Sequence, residues 1–133
     1  MDSCIFCMIA AGDIPSRRIY EDETCIAILD VNPGAAGHTL IIPKDHYKDI
    51  TEVGEELLGH LFGVAKMVGT RQKERLGADG FNIIQNNGAA AGQTVPHFHI
   101  HVIPRFENDG QAIGWVPTEP SAEELDAMLE RLS

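Results

Sequence analysis

Basic residues are scarce in this chain of 133 residues: ten lysines and arginines stand against twenty aspartates and glutamates, a formal net charge of −10. That balance excludes the basic stripe that nucleic-acid binding requires, and it excludes attraction to anionic membranes. A phosphate ligand remains compatible, because a few backbone N–H groups hold one without bulk positive charge. Long-range steering of an anion would be poor. Cysteines number only three, so they cannot all pair within one chain. No stretch approaches the ~20 apolar residues needed to span a bilayer. The opening Met1-Asp2-Ser3-Cys4 has neither the basic nor the apolar region of a signal peptide. The expected setting is therefore the cytoplasm, with free thiols. Internal repeats, low-complexity segments and long charge blocks are also missing.

What is present is an ordinary apolar fraction of 44%. The length points to one domain, residues 1–133, able to bury roughly two-thirds of its unfolded surface. Residues 4–10 are short and apolar and predict a helix of one or two turns. Arg17–Glu21 and Cys25–Leu29 read as strands around an acidic turn at Asp22 and Glu23. Asn32-Pro33-Gly34 is a turn signal. His38–Pro43 is a strand rich in β-branched residues. Val53, Leu57, Leu58, Leu61, Val64, Ala65 and Val68 fall on one face of a 3.6-residue period. They predict a long helix with Thr51 as N-cap and Gly77 as its stop. Gly54, Gly59 and Gly63 within it are expected to pack closely on the sheet. Phe81–Gln85 and residues 97–103 complete five strands. After Pro104 the chain is irregular to Pro120, and Ser121 with Glu124 forms a capping box for a short amphipathic helix. Clustered strands around one helix, without βαβ alternation, predict an α+β fold with an antiparallel sheet.

The chemistry concentrates in His97, His99 and His101. On a strand, residues two apart share a face, and neighbouring imidazoles sit roughly 6.6 Å apart. Phe98, Ile100 and Val102 face the other way. One face is then core and the other a row of imidazoles. A solvated strand face is the bland alternative. Two functional readings compete on spacing alone: a three-histidine zinc site and nucleophilic catalysis by a neutral imidazole. Upstream, Asn86 to Gln93 is rich in Gly and Ala and feeds directly into this segment. Small residues let backbone amides approach an anion, and Gln93 and Thr94 add side-chain donors.

The run Gly92-Gln93-Thr94-Val95-Pro96-His97-Phe98-His99-Ile100-His101-Val102-Ile103-Pro104-Arg105 resembles the signature of the histidine triad (HIT) superfamily. Cys4-Ile5-Phe6-Cys7, Leu29-Asp30-Val31-Asn32-Pro33 and Gly37-His38-Thr39-Leu40-Ile41-Ile42-Pro43-Lys44 resemble its Hint-like branch. The resemblance covers residues 3–105 and leaves 106–133 as a C-terminal extension. It implies the HIT fold, a five-stranded, mainly antiparallel sheet with one long helix and short terminal helices. It implies a homodimer with the sheets continued across the interface. It also implies hydrolysis at the α-phosphate of nucleoside 5′-phosphoramidates or dinucleoside polyphosphates, through a nucleotidyl-histidine, releasing a nucleoside monophosphate such as AMP.

Position by position, the resemblance makes His99 the nucleophile and His101 a phosphate contact. Gly92, Gln93 and Thr94 would bind phosphate, with Thr94 helping the leaving group. Asn86 would lie near ribose and phosphate, and Asp30 would accept from the ribose hydroxyls. Ile5, Phe6, Ile28 and Val31 would sandwich a purine base, and His38 would support the triad. Read without the resemblance, Asp30 is a turn residue and the four apolar residues are core.

Cys4 and Cys7 have the spacing of a metal half-site or a redox pair, and a redox pair usually sits in a βαβ setting, which is missing. His46 and His97 are candidate further ligands, matching the structural zinc that some HIT proteins carry. His97 would then be a fixed neighbour of the nucleophile, and no catalytic metal would be needed. Reduced, buried thiols are the bland reading. Cys25 reads as core filler, His60 as a surface residue and Arg105 as a solvated strand end. Trp115 lies beyond the motif. A nucleotide-binding adaptor with vestigial turnover would have nearly the same sequence.

Overall fold

The computed structural model describes residues 3–133; Met1 and Asp2, part of the opening stretch and of the expected 1–133 domain, lie outside the described residues. Helix α1 (Ile5–Ala11) starts where the Cys4 sulfur accepts the Cys7 N–H, and it ends at Gly12 in the left-handed region. Strands β1 (Arg18–Glu21), β2 (Cys25–Leu29) and β3 (Thr39–Pro43) follow. Helix α2 (Glu55–Leu76), β4 (Gly80–Ile84), β5 (Ile100–Arg105) and α3 (Ala122–Leu132) complete the chain. The sheet runs β1-β2-β3-β5-β4 with every pair antiparallel. The α+β architecture predicted from the sequence is the one observed.

Alternation along the strands divides two hydrophobic layers. Cys25, Ala27, Ile41, Phe98, Ile100 and Val102 pack beneath Leu61, Val64, Ala65 and Val68 of α2. Ile26, Ile28, Leu40 and Ile42 face the other way and meet Phe6 and Ile9 of α1. Because α1 is only seven residues long, it covers this second face in part. The register places Ile28, Leu40, His101 and Ile84 side by side across β2, β3, β5 and β4. His101 therefore stands on the face that α2 does not cover.

Three sequence expectations need correction. Thr51 does not cap the long helix. The Asp49 carboxylate takes the Thr51 N–H at 2.9 Å and draws residues 50–52 into a separate 3₁₀ turn, so α2 starts at Glu55 after Gly54. Strand β5 begins at Ile100 rather than 97, because the amides ahead of it pair elsewhere. The His97 N–H bonds the Val95 carbonyl (2.8 Å) and the Phe98 N–H bonds the Tyr47 carbonyl (2.6 Å). Gly54, Gly59 and Gly63 do not pack closely: a Cβ on any of them would meet nothing within 4 Å. The close approach is at Gly69, where a Cβ would lie 2.3 Å from the Phe81 ring. The Gly77 stop and the Ser121–Glu124 capping box form as predicted.

Candidate active site and metal centre

His99 is 5% exposed. Its Nδ1–H donates to the His97 carbonyl at 2.8 Å. A neutral imidazole has one donor and one acceptor nitrogen, so this bond assigns the proton to Nδ1 and leaves Nε2 with a free lone pair. The Phe6 ring meets His99 edge-on at 5.0 Å, and the His101 ring centre also lies 5.0 Å away. Burial lowers the pKa of His99, which keeps the ring neutral and nucleophilic near pH 7.

A backbone donor sets the second histidine. The Gly34 N–H donates to His38 Nδ1 at 2.9 Å. That nitrogen is therefore unprotonated, and His38 carries its hydrogen on Nε2. His38 Nε2–H donates in turn to His101 Nδ1 at 3.0 Å, which leaves the His101 proton on Nε2 as a donor. The chain Gly34–His38–His101 thus presents an N–H beside the lone pair of His99. Burial, then the neighbouring His99 and His38 charges, push His101 down to about 4. Burial also lowers His38, against the opposing effect of Asp30. Asp30 Oδ2 lies 3.6 Å from His38 Nε2, and its Oδ1 accepts the Asn32 N–H at 2.8 Å. The turn function and a place beside the histidines coexist in Asp30.

The third histidine turns away from the other two. His97 is fully buried, and its Nδ1 lies 3.3 Å from the Cys4 sulfur and 3.5 Å from that of Cys7. The Cys7 sulfur is also 3.3 Å from His46 Nδ1, and all four donor atoms fall within 4.8 Å of one another. Zinc–sulfur bonds of ~2.3 Å and zinc–nitrogen bonds of ~2.0–2.1 Å give a tetrahedron with sulfur–nitrogen edges of about 3.5 Å. The residues therefore fit a Cys₂His₂ zinc. His97 Nε2–H donates to the Pro43 carbonyl at 2.9 Å, the outer hydrogen bond that frees Nδ1 for a metal. Among the described residues, no candidate metal group unites His97, His99 and His101. The three-histidine zinc site left open by spacing is not formed.

The loop before the triad is tied down by its own side chains. Gln93 does not offer free donors as expected: its Nε2 donates to the Lys48 and Val95 carbonyls (2.8 and 3.0 Å), and its Oε1 accepts the Gly88 N–H (2.8 Å). It staples the loop instead. Gly92 adopts φ +95°, and a Cβ there would lie 3.5 Å from the Asn86 amide nitrogen, so Gly92 faces the Asn86 side chain. Thr94 is exposed and borders a cavity of about 460 Å³ with Cys4, Ile5, His46, Lys48 and Val95. Ile5 and Val31 are 45% and 79% exposed, whereas Phe6 and Ile28 are buried in the second hydrophobic layer. The four apolar residues therefore divide into two that an incoming ligand can cover and two that serve as core.

Sequence reasoning missed Gly34, which it read only as part of a turn. Its contribution is an N–H, which no residue type advertises. Arg105 is not a solvated strand end: it donates to Asp109, Asn82 and the Gln111 carbonyl and organises the turn beyond β5. Cys25 is fully buried, and burial pushes its thiol up to about 12, as fits core filler. His60 is partly exposed and bonded to Asp22 at 2.6 Å. No described helix is long and apolar enough to cross a membrane.

Comparison with known proteins gives the family. The chain is 45% identical over 130 residues to an uncharacterised HIT-like protein of Methanocaldococcus jannaschii, covering 97% of this chain and 98% of the relative. It is 38% identical over 132 residues to the adenosine 5′-monophosphoramidase of Schizosaccharomyces pombe, covering 98% and 96%. The crystal structure of a Zn-bound histidine triad family protein from Mycobacterium smegmatis superposes with a TM-score of 0.81 at 44% identity, over 98% of this chain and 96% of that one. The family model described as the HIT domain matches residues 11–108, and the chain belongs to the HIT domain family.

Proposed function

We propose that this protein hydrolyses nucleotides at the α-phosphate, with His99 as nucleophile. The observation that carries the proposal is the free Nε2 lone pair of His99, set by the His97 carbonyl and placed beside a second imidazole that presents an N–H. His99 Nε2 attacks phosphorus, the bond to the leaving group breaks, and a nucleotidyl-histidine forms. The Thr94 hydroxyl, at the rim of the adjoining cavity, donates to the departing group. The His101 N–H binds a phosphate oxygen as charge builds there. Water then attacks the same phosphorus and releases a nucleoside monophosphate such as AMP. The substrates are nucleoside 5′-phosphoramidates or dinucleoside polyphosphates. The similarity to a phosphoramidase supports the first class.

The base, a purine, lies against Ile5 and Val31, with Asp30 Oδ2 accepting from the ribose. Asn86, Gly92 and the backbone beside Gln93 face the phosphate. Cys4, Cys7, His46 and His97 hold a structural zinc. When bound, that ion supplies no chemistry to the reaction; it clamps α1 to the histidine segment. The protein works as one domain, with a core at 3–105 and an extension at 106–133. It forms a homodimer in the cytoplasm, and the exposed Leu125, Leu129 and Leu132 of α3 support a second copy as their cover.

The deciding experiment compares AMP release from adenosine 5′-phosphoramidate and diadenosine tetraphosphate, using wild type and His99→Gly. Faster release from the phosphoramidate, lost in the variant, is the expected result. Preference for the tetraphosphate reassigns the substrate class. Nucleotide binding without release from either overturns the hydrolase proposal in favour of an adaptor.

A further inference from the structure

We propose that Gln72 is a positioning residue for the His38–His101 pair, acting from behind the sheet. Gln72 lies on α2, on the face opposite the histidines, and is 3% exposed. Its Nε2 donates to two backbone carbonyls at once, Gly37 at 3.1 Å and Val102 at 3.0 Å. Gly37 immediately precedes His38, and Val102 immediately follows His101. One amide nitrogen therefore ties together the two chain segments whose imidazoles meet at 3.0 Å on the other side. The ladder between β3 and β5 runs through the same place, with Thr39 opposite Val102 and Leu40 opposite His101.

The other half of the Gln72 amide argues against a packing role. Its Oε1 is buried with no hydrogen-bond partner among the described residues. A buried, unpaired acceptor is a destabilising feature. The Gly37 carbonyl also keeps a second donor, the Thr39 hydroxyl at 2.8 Å. An unbranched apolar side chain would fill the same space without an unpaired oxygen. Its Nε2 satisfies the Val102 carbonyl while its Oε1 is left unpaired, so these gains and losses to stability oppose one another. What its two N–H groups supply is a fixed spacing between the start of β3 and the middle of β5. That spacing keeps His38 Nε2–H on His101 Nδ1, and so keeps the His101 proton on Nε2, facing the phosphate.

Gln72→Met, which preserves length and volume, and Gln72→Leu test this. Three readouts apply: melting temperature, imidazole ¹⁵N shifts, and kcat with KM for adenosine 5′-phosphoramidate. The expected result is a melting temperature within a few degrees of wild type and a ¹⁵N spectrum in which the His101 tautomers have become mixed. Alongside it, kcat should fall roughly tenfold while KM stays within about twofold. Wild-type ¹⁵N shifts in both variants overturn the proposal. So does a melting temperature lowered by more than about 10 °C in both, since the residue is then a stability element. The kinetic arm rests on the hydrolase reading and the spectroscopic arm does not. A wild-type protein without turnover removes that reading and leaves the imidazole spectra to decide on Gln72.

Discussion

The residue whose chemistry the sequence states most directly is His99, and its protonation state comes from the fold. Replacing it with glycine is expected to lower kcat by roughly 10³-fold or more while nucleotide binding persists; retained turnover removes it as nucleophile. The acid side of the rate profile is a second test at this scale. His101 has a folded pKa of about 4, below the ordinary imidazole value of about 6.5. A base with a depressed folded pKa stays neutral in the fold, while the unfolded chain takes up its proton first. The stability it contributes is therefore full above about pH 6.5 and is lost as pH falls toward about 4. Activity that depends on neutral rings should persist below pH 6.5. An acid limb of kcat/KM with its midpoint at 6.5 or above contradicts this burial effect. The triad was legible because three histidines at alternate positions are rare as strand surface. The divergent course of His97 was less so, since it depends on amides that pair with Val95 and Tyr47.

At the scale of elements, α2 provides the sharpest contrast. Gly69→Ala puts a methyl group into the Phe81 ring and is expected to destabilise by about 2 kcal/mol. Gly63→Ala meets open space and should stabilise by up to about 1 kcal/mol through helix propensity. Thermal or urea unfolding of both variants checks the pair, and equal effects would place Phe81 elsewhere. The 3.6-residue period located this helix but did not show which glycine touches the sheet, because Phe81 reaches Gly69 only after β4 has turned back. Thr51 failed as a cap for a local reason: both its N–H and its hydroxyl donate to the Asp49 carboxylate, which makes Asp49 the cap of the short 3₁₀ turn instead. Helix α1 depends on Cys4 and Cys7, which pair with His46 and His97 from distant segments. Stripping metal with a chelator, or Cys7→Ser, is expected to lower the melting temperature by roughly 10 °C. No change in a protein purified with one equivalent of zinc would show that the ion clamps nothing.

For the whole molecule, the two faces of the sheet have different tasks. One is sealed by α2, and the other keeps the histidines beside a short helix. The five strands and the α+β class followed from alternating patterns and turn signals, whereas the order β1-β2-β3-β5-β4 depends on pairings between distant segments. The closing helix was announced by its Ser121–Glu124 capping box, but the exposure of its apolar residues was not. No residue from 111 to 133 is buried. An isolated helix of eleven residues is marginal in water, so amide protection in α3 should rise with protein concentration if a second copy covers it. Protection independent of concentration, with a monomer mass in solution, removes the homodimer.

Both ends of the imidazole arrangement are held by main-chain atoms: the His97 carbonyl at one end and the Gly34 N–H at the other. Such partners cannot be deleted by trimming a side chain. A systematic alanine scan would report the histidines themselves and pass silently over what orients them. Replacing single amides with esters, which removes the Gly34 N–H or weakens the His97 carbonyl, is the perturbation that would reach them. The same arrangement makes the site tolerant of sequence drift, since any residue but proline at position 34 that keeps the local path of the chain also keeps the proton on the correct nitrogen.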